Sequence, residues 1–109
     1  MDSYDVILSN RAKGQLNDYV NYIQYTLLND QAANAVLDDA LDTIEKLKLV
    51  ADSLRYCDDP DLRERRYHKI KFLHHDYVML YKINGKTANV DGIYHEMQDY
   101  ENLFSEEIN

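Results

Sequence analysis

The spacing of the apolar residues changes near residue 65, and this change limits the folds open to the chain. Before that point, apolar residues recur at steps of three and four, which places them on one side of a helix. A first stripe comprises Ala12, Leu16, Tyr19, Val20, Ile23 and Leu27, and a second comprises Ala33, Val36, Leu37, Ala40, Ile44, Leu47 and Ala51. Asn29-Asp30 separates the stripes and can cap a new helix. The sequence therefore predicts two amphipathic helices in an antiparallel hairpin.

After residue 65 the apolar residues follow the two-residue period of β-strands. His68, Ile70 and Phe72 alternate with Tyr67, Lys69 and Lys71. Residues 76–83 are apolar on both faces, as expected for a central strand. Asn84-Gly85 then predicts a hairpin, because both residues tolerate positive φ. In the return strand 87–95 the apolar phase slips after Val90, which predicts a β-bulge at Asp91-Gly92.

The remaining segments complete the predicted fold. Residues 4–8 are predicted to form a strand, with Ser9 or Asn10 capping the next helix. Residues 55–62 contain the single Pro and several Asp, which favours a loop, and residues 97–108 can form a last helix. The order β-α-α-β-β-β-α predicts an α+β fold in which a helical hairpin packs on one face of a small antiparallel sheet. We expect the opposite face of that sheet to be open.

Length and composition predict one globular domain over residues 1–109 in the cytoplasm. The chain has 45% apolar and 29% charged residues, with three Gly and one Pro, a balance that excludes a disordered or low-complexity chain. A single cysteine excludes an internal disulfide and a multi-cysteine zinc site, and fits a reducing compartment. No apolar run approaches the roughly 18 residues that a membrane span needs. We expect no metal, no cofactor and no association with membranes.

The positive charge is concentrated in one short stretch. The net charge is −8, which argues against general nucleic-acid binding. Residues 63–71 nevertheless carry five Lys or Arg and one Glu, so this stretch is +4 and the rest of the chain is −12. Such a basic island on an acidic body favours a local binding role.

The basic island supplies the candidate binding residues. Lys69 and Lys71 share one side of the predicted strand with Tyr67, and Arg65 and Arg66 lie just upstream. One interpretation is a phosphate-binding strip on the exposed sheet face, with Tyr67 stacking on a base. The other is a solvated face that balances the acidic helices or docks an acidic partner.

His95 is the candidate catalytic residue, because it ends the last strand and histidine transfers protons near neutral pH. The alternative is a structural role, which is the more common one for a lone histidine at a strand end. His74-His75 lies at a predicted turn, and no spacing supplies a third metal ligand. Cys57 lies among Asp residues, which raise the pKa of a thiol and so disfavour a nucleophilic role.

Four segments together resemble the RelE/ParE superfamily of toxins from bacterial type II toxin–antitoxin modules. They are LSNRAKGQLNDYVNYI (8–23), NDQAANAVLDDALDTIEKL (29–47), RRYHKIKFLHHDYVMLYKINGKTANVDGIYH (65–95) and HEMQDYENLF (95–104). The resemblance spans nearly the whole chain, and the His-x-x-Gln-Asp-Tyr ending is similar to the ParE-like branch.

The resemblance implies a toxin that arrests growth and is neutralised by a cognate antitoxin in a hetero-oligomer. In the ParE-like branch the target is DNA gyrase. In the RelE-like branch the toxin is a ribosome-dependent endoribonuclease that cleaves mRNA, which implies phosphate-stabilising roles for Arg66, Lys69 and Lys71 and a general acid or base at His95. Met97 stands where the family usually has Arg or Lys, and Glu96 adds a negative charge, so we favour gyrase. A non-toxic module that only binds an antitoxin is the third hypothesis.

Overall fold

A computed structural model describes residues 3–109, so Met1 and Asp2 of the predicted domain lie outside the described residues. Within this range, four strands are formed by Asp5–Leu8 (β1), Tyr67–Lys71 (β2), Tyr77–Asn84 (β3) and Thr87–His95 (β4). The α-helices are Asn10–Asn21 (α1), Asp30–Val50 (α2), Pro60–Glu64 (α3) and Tyr100–Ile108 (α4). The predicted α+β fold is confirmed, with α3 as an addition. No helix in residues 3–109 is both long and apolar enough to cross a membrane.

Both helices of the hairpin begin where the sequence places a capping side chain. The Ser9 Oγ accepts a hydrogen bond from the Ala12 N–H at 3.1 Å, and the Asn29 Oδ1 accepts one from the Ala32 N–H at 3.0 Å. Each cap satisfies a backbone donor that has no partner inside its helix. The predicted starts of α1 and α2 are therefore confirmed.

The end of the first helix departs from the prediction. α1 continues into a π-helical turn over Tyr22–Thr26, in which the Leu27 N–H donates to the Tyr22 carbonyl at 3.0 Å. The wider turn holds an extra residue and rotates the next residues around the helix axis. Leu27, predicted on the buried stripe, is consequently 56% exposed.

The sheet has the strand order β1-β4-β3-β2. β2, β3 and β4 form the predicted antiparallel meander, but β1 pairs with β4 in parallel, so the sheet is mixed and not wholly antiparallel. The helical hairpin carries the chain across the sheet, and such crossovers are what bring parallel strands side by side.

The two predicted irregularities of the meander are both present. Asn84 pairs with Thr87, so the tight turn consists of Gly85 and Lys86, one residue later than predicted. Gly85 has φ of +61°, and positive φ at the first turn position alone is typical of a type II′ turn. Gly92 pairs with Leu80 while Val90 pairs with the next residue, Tyr81, which leaves Asp91 unpaired and confirms the bulge.

Both faces of the sheet are covered, which contradicts the expected open face. The helical hairpin packs on one face over Ile70, Met79 and Ile93. On the other face a second cluster comprises Cys57, Leu62, Tyr67, Val78, Leu80, Tyr94 and Phe104, with Tyr100 and Ile108 packed against it. The prediction was wrong because α3 and α4 return to this face.

α3 begins inside the segment predicted as a loop, residues 55–62, and extends two residues beyond it. The Asp59 Oδ1 accepts hydrogen bonds from the N–H groups of Asp61 and Leu62 at 3.0 and 3.1 Å. Pro60 occupies the first turn, where its missing N–H costs nothing. The Asp-Pro cluster is therefore a helix start, and it brings Leu62 into the second cluster.

Candidate functional site

The predicted basic strip lies on the sheet face that α4 covers. Tyr67 belongs to the cluster beneath α4, whereas Ile70 belongs to the hairpin core, so alternate residues of β2 point to opposite faces as predicted. Arg65 and Arg66 precede the strand in the turn after α3. The structure thus places Tyr67, Lys69 and Lys71 on one face, with Tyr67 and Lys69 against α4 and Lys71 exposed beyond it.

Lys69 is held by carboxylates and is largely buried. Its Nζ lies 2.7 Å from the Glu101 Oε2 and 3.4 Å from the Asp58 Oδ2, and it donates to the Tyr100 Oη at 3.3 Å. The side chains of Lys69 and Glu101 are each 15% exposed. Burial alone would lower the pKa of Lys69, but the hydrogen bonds to Glu101 and Tyr100 outweigh it and raise that pKa. The ammonium is therefore held in its charged form by partners that already neutralise it.

Lys71 and Arg65 are paired in the same manner at more exposed positions. The Lys71 Nζ lies 3.1 Å from the Glu96 Oε2 and 3.4 Å from Asp76, and the hydrogen bond to Glu96 raises the pKa of Lys71. The Arg65 Nε donates to the Asp61 Oδ1 at 3.2 Å, and Arg65 also bonds Asn109. Acidic side chains thus neutralise Arg65, Lys69 and Lys71 of the basic island.

Arg66 lies apart from the paired cations. Within residues 3–109, its guanidinium has no hydrogen bond or ion pair, and the side chain is exposed. Its backbone has φ of 68°, a left-handed conformation that is uncommon for residues other than glycine. It lines a cleft with Tyr56, His68 and Ile83, away from Lys69. Arg66 and Lys69 therefore do not share one phosphate site.

Tyr67 is packed and not available for stacking. The residue is 7% exposed, and its ring meets the Phe104 ring edge-on at a centroid distance of 5.0 Å. Its hydroxyl donates to the Asp91 Oδ2 at 2.8 Å, and burial together with this bond raises the pKa of Tyr67. The ring therefore anchors α4 to the bulge of β4.

His95 faces the opposite side of the sheet from Lys69 and Lys71. It pairs in register with Tyr77 of the hairpin core, and the two rings meet edge-on at 5.2 Å. Its Nδ1 accepts a hydrogen bond from the Met97 N–H at 3.1 Å, so the neutral ring carries its proton on Nε2. The structure does not bring His95 together with the cations of the strip.

A buried carboxylate fixes the turn between β2 and β3, and the sequence analysis missed it. Asp39 is 2% exposed; its side chain accepts the His74 N–H at 3.0 Å and lies 2.7 Å from the His75 Nδ1. The available signal was that Asp39 lies three residues after Val36, on the buried side of α2. No group of three or more His, Cys, Asp or Glu within residues 3–109 has metal-binding geometry. The His74-His75 pair therefore has a structural anchor.

Cys57 is fully buried beneath α4. Burial, with a further contribution from Glu101, raises the pKa of the Cys57 thiol to about 12. Since the thiolate is the reactive form, this cysteine is unreactive at neutral pH, in agreement with the sequence analysis.

An open groove runs between the two helices of the hairpin. It has a volume of about 360 Å³ and is lined by Leu8, Lys13, Gly14, Leu16, Asn17 and Leu37. Gly14 lies in the middle of α1, and a Cβ added there would meet nothing within 4 Å. A glycine inside a helix costs about 0.5–1 kcal/mol relative to alanine. No contact among residues 3–109 accounts for that cost, and the glycine inside the helix was the sequence signal for this groove.

The architecture is a helical hairpin on one face of a four-stranded mixed sheet, with two short helices on the other face. A family model described as the ParE toxin of type II toxin-antitoxin system, parDE, matches residues 6–100. The chain therefore belongs to the ParE toxin family.

A solved structure shares this fold. A chain of the chromosomal ParDE toxin–antitoxin system from P. aeruginosa superposes with a TM-score of 0.70 at 14% identity, covering 85% of this chain and 96% of that one. The isolated E. coli RelE toxin gives a TM-score of 0.46 at 18% identity, covering 97% and 96%. No curated protein matches the sequence.

Proposed function

We propose that this ParE-family toxin arrests growth by binding and inhibiting DNA gyrase in the cytoplasm, and not by cleaving mRNA. One observation favours gyrase inhibition over mRNA cleavage. Two of the three cations that a ribonuclease mechanism needs are bound to carboxylates, Lys69 to Glu101 and Lys71 to Glu96, and the third, Arg66, lines a separate cleft. His95, the acid or base of that mechanism, points to the other face of the sheet.

Electrostatics support this choice. Phosphoryl transfer to a 2′-hydroxyl requires cations that stabilise the pentacovalent phosphorus and a nearby group that protonates the leaving oxygen. An RNA phosphate at Lys69 would have to displace Glu101 from a 2.7 Å ion pair that is mostly shielded from water. The net charge of −8 adds repulsion between the chain and ribosomal RNA.

Induction of the chain alone in cells separates the candidate functions. We expect growth arrest with altered plasmid supercoiling and intact transcripts. Codon-phased transcript cuts that disappear in His95→Ala would instead support the ribonuclease, and unimpaired growth would support a non-toxic binding module.

We further propose that the antitoxin occupies the groove between α1 and α2. The groove is open, largely apolar, and floored by a glycine that permits the backbone of a partner to approach closely. The partner to test is the short protein encoded by the neighbouring reading frame.

Gly14 variants test this site. Gly14→Leu places a branched side chain in the groove, and we expect it to weaken antitoxin binding at least 100-fold in calorimetry while the toxin stays folded. Gly14→Ala, which adds one carbon, is the matched control and should change binding far less. Equal antitoxin affinity for Gly14→Leu and the wild type would place the antitoxin elsewhere.

A further inference from the structure

The hairpin tip, residues 21–29, exposes apolar side chains that nothing in the described chain covers. Its sequence, NYIQYTLLN, has no charged residue in a chain that is 29% charged. Tyr22 is 56% exposed, Tyr25 69%, Leu27 56% and Leu28 83%. At roughly 150–250 Å² for one aromatic residue, these fractions leave several hundred Å² of apolar surface. That is on the order of half of the ~800 Å² that one partner contributes to a stable protein interface.

The backbone of the tip is strained in a way that keeps this surface exposed. Leu28 has φ of 52°, a left-handed conformation that Gly or Asn adopts more readily than Leu. The π-helical turn at Tyr22–Thr26 turns Leu27 out of the core. Strain of this kind is retained mainly at functional sites.

Charge identifies the kind of partner. The tip has no Lys or Arg, so it cannot neutralise phosphates, and its partner is a protein and not a nucleic acid. Acidic residues border the tip along the chain, since Asp18 precedes it and Asp30 comes directly after it. The cleft of about 380 Å³ that Leu27 also lines contains His74, His75, His95 and Asp76, and Asp76 is paired with Lys71. An apolar centre with an acidic rim is complementary to an apolar pocket bordered by Lys and Arg.

We propose that the hairpin tip is the surface by which this toxin docks on its protein target, in an apolar pocket with a basic rim. This inference rests on the proposed function and identifies the part of the toxin that contacts the target. None of residues 21–29 lines the groove proposed for the antitoxin, although the groove residue Asn17 lies four residues before the tip on α1. The two surfaces are therefore neighbouring but distinct.

Leu28→Asn, combined with Tyr25→Gln, tests the proposal. Asn accepts the left-handed backbone and removes the apolar side chain, so the variant should be at least as stable as the wild type. We expect at least a tenfold rise in the toxin concentration that half-inhibits gyrase supercoiling, with a parallel loss of growth arrest. Leu49→Asn is the matched control, because Leu49 is a comparably accessible leucine, 61% exposed, on α2.

The outcomes are distinct. Inhibition and growth arrest at wild-type levels would overturn the proposal. So would loss of co-purification with the neighbouring-frame protein while inhibition is retained, since the tip would then bind the antitoxin. A wild-type dimer in ultracentrifugation that the variant abolishes, with inhibition unchanged, would also overturn it. If the wild type arrests growth without altering supercoiling, gyrase is the wrong target, and growth arrest by the variant still decides the role of the tip.

Discussion

At the scale of single residues, the Lys69–Glu101 pair decides what the covered sheet face can do. Glu101 accepts a hydrogen bond from the Asp59 N–H at 2.7 Å and also holds Lys69, so one carboxylate joins α3, β2 and α4. A cation held in this way stabilises the fold and is not available to bind phosphate.

Replacement of this carboxylate should measurably destabilise the protein. Glu101→Gln leaves the mostly buried Lys69 ammonium poorly paired, and we expect a loss of about 1–3 kcal/mol in the free energy of unfolding, measured in urea. Glu45→Gln is the control, because Glu45 forms a 2.9 Å pair with Lys48 on an exposed helix surface. Exposed pairs contribute about 0–1 kcal/mol, so equal losses in the two variants would contradict this account.

At the scale of elements, the docking of α4 depends on the glycine beside the bulge of β4. A Cβ on Gly92 would lie 2.9 Å from a ring carbon of Tyr94 and 3.1 Å from one of Phe104. The absence of that carbon lets Phe104 reach the sheet and complete the second cluster.

Gly92→Ala should therefore displace α4. We expect overpacking to cost about 1–3 kcal/mol and hydrogen-exchange protection to fall in α4 more than in the hairpin. Gly14→Ala is the opposite control: it meets open space in a helix, so it should stabilise the protein by about 0.5–1 kcal/mol. If Gly92→Ala leaves the protection of α4 unchanged, the packing assigned to Gly92 is wrong.

The elements that the sequence predicted correctly are those determined by residues close together along the chain. The caps at Ser9 and Asn29 and the bulge at Asp91 depend on neighbours a few residues away, and all were predicted. The packing of α4 over the basic face depends on the contact between Lys69 and Glu101, which are 32 positions apart in the sequence. No local sequence pattern predicts a contact at that separation. The sequence analysis grouped His95 with the cations, and this was wrong. The face on which His95 lies depends on the register of β3 and β4 across the bulge, which the local sequence does not determine.

At the scale of the whole molecule, acidic residues contribute stability that depends on pH. Hydrogen bonds from Arg55 and Lys69 lower the pKa of Asp58, and those from Asn109 and Arg65 lower the pKa of Asp61. Because the folded-state pKa lies below the unfolded value of about 4, this contribution is complete above about pH 4 and is lost at lower pH.

Acid titration should reveal this contribution. We expect the melting temperature of the wild type to fall as the pH drops from about 4.5 to about 2.5, and Asp61→Asn to reduce that fall while lowering the melting temperature at neutral pH. Asp42→Asn, on the exposed surface of α2, is the matched control. Identical profiles for Asp61→Asn and the wild type would show that Asp61 is not coupled to folding.

In the function proposed above, the toxin acts through a protein contact and not through RNA chemistry. The most direct test of this function is a supercoiling reaction that contains purified gyrase, relaxed plasmid, ATP and the purified chain, without ribosomes or RNA. We predict that supercoiling falls as the toxin concentration rises, and that Lys71→Ala inhibits as well as the wild type. Undiminished supercoiling, together with ribosome-dependent cleavage of mRNA by the same preparation, would contradict the account.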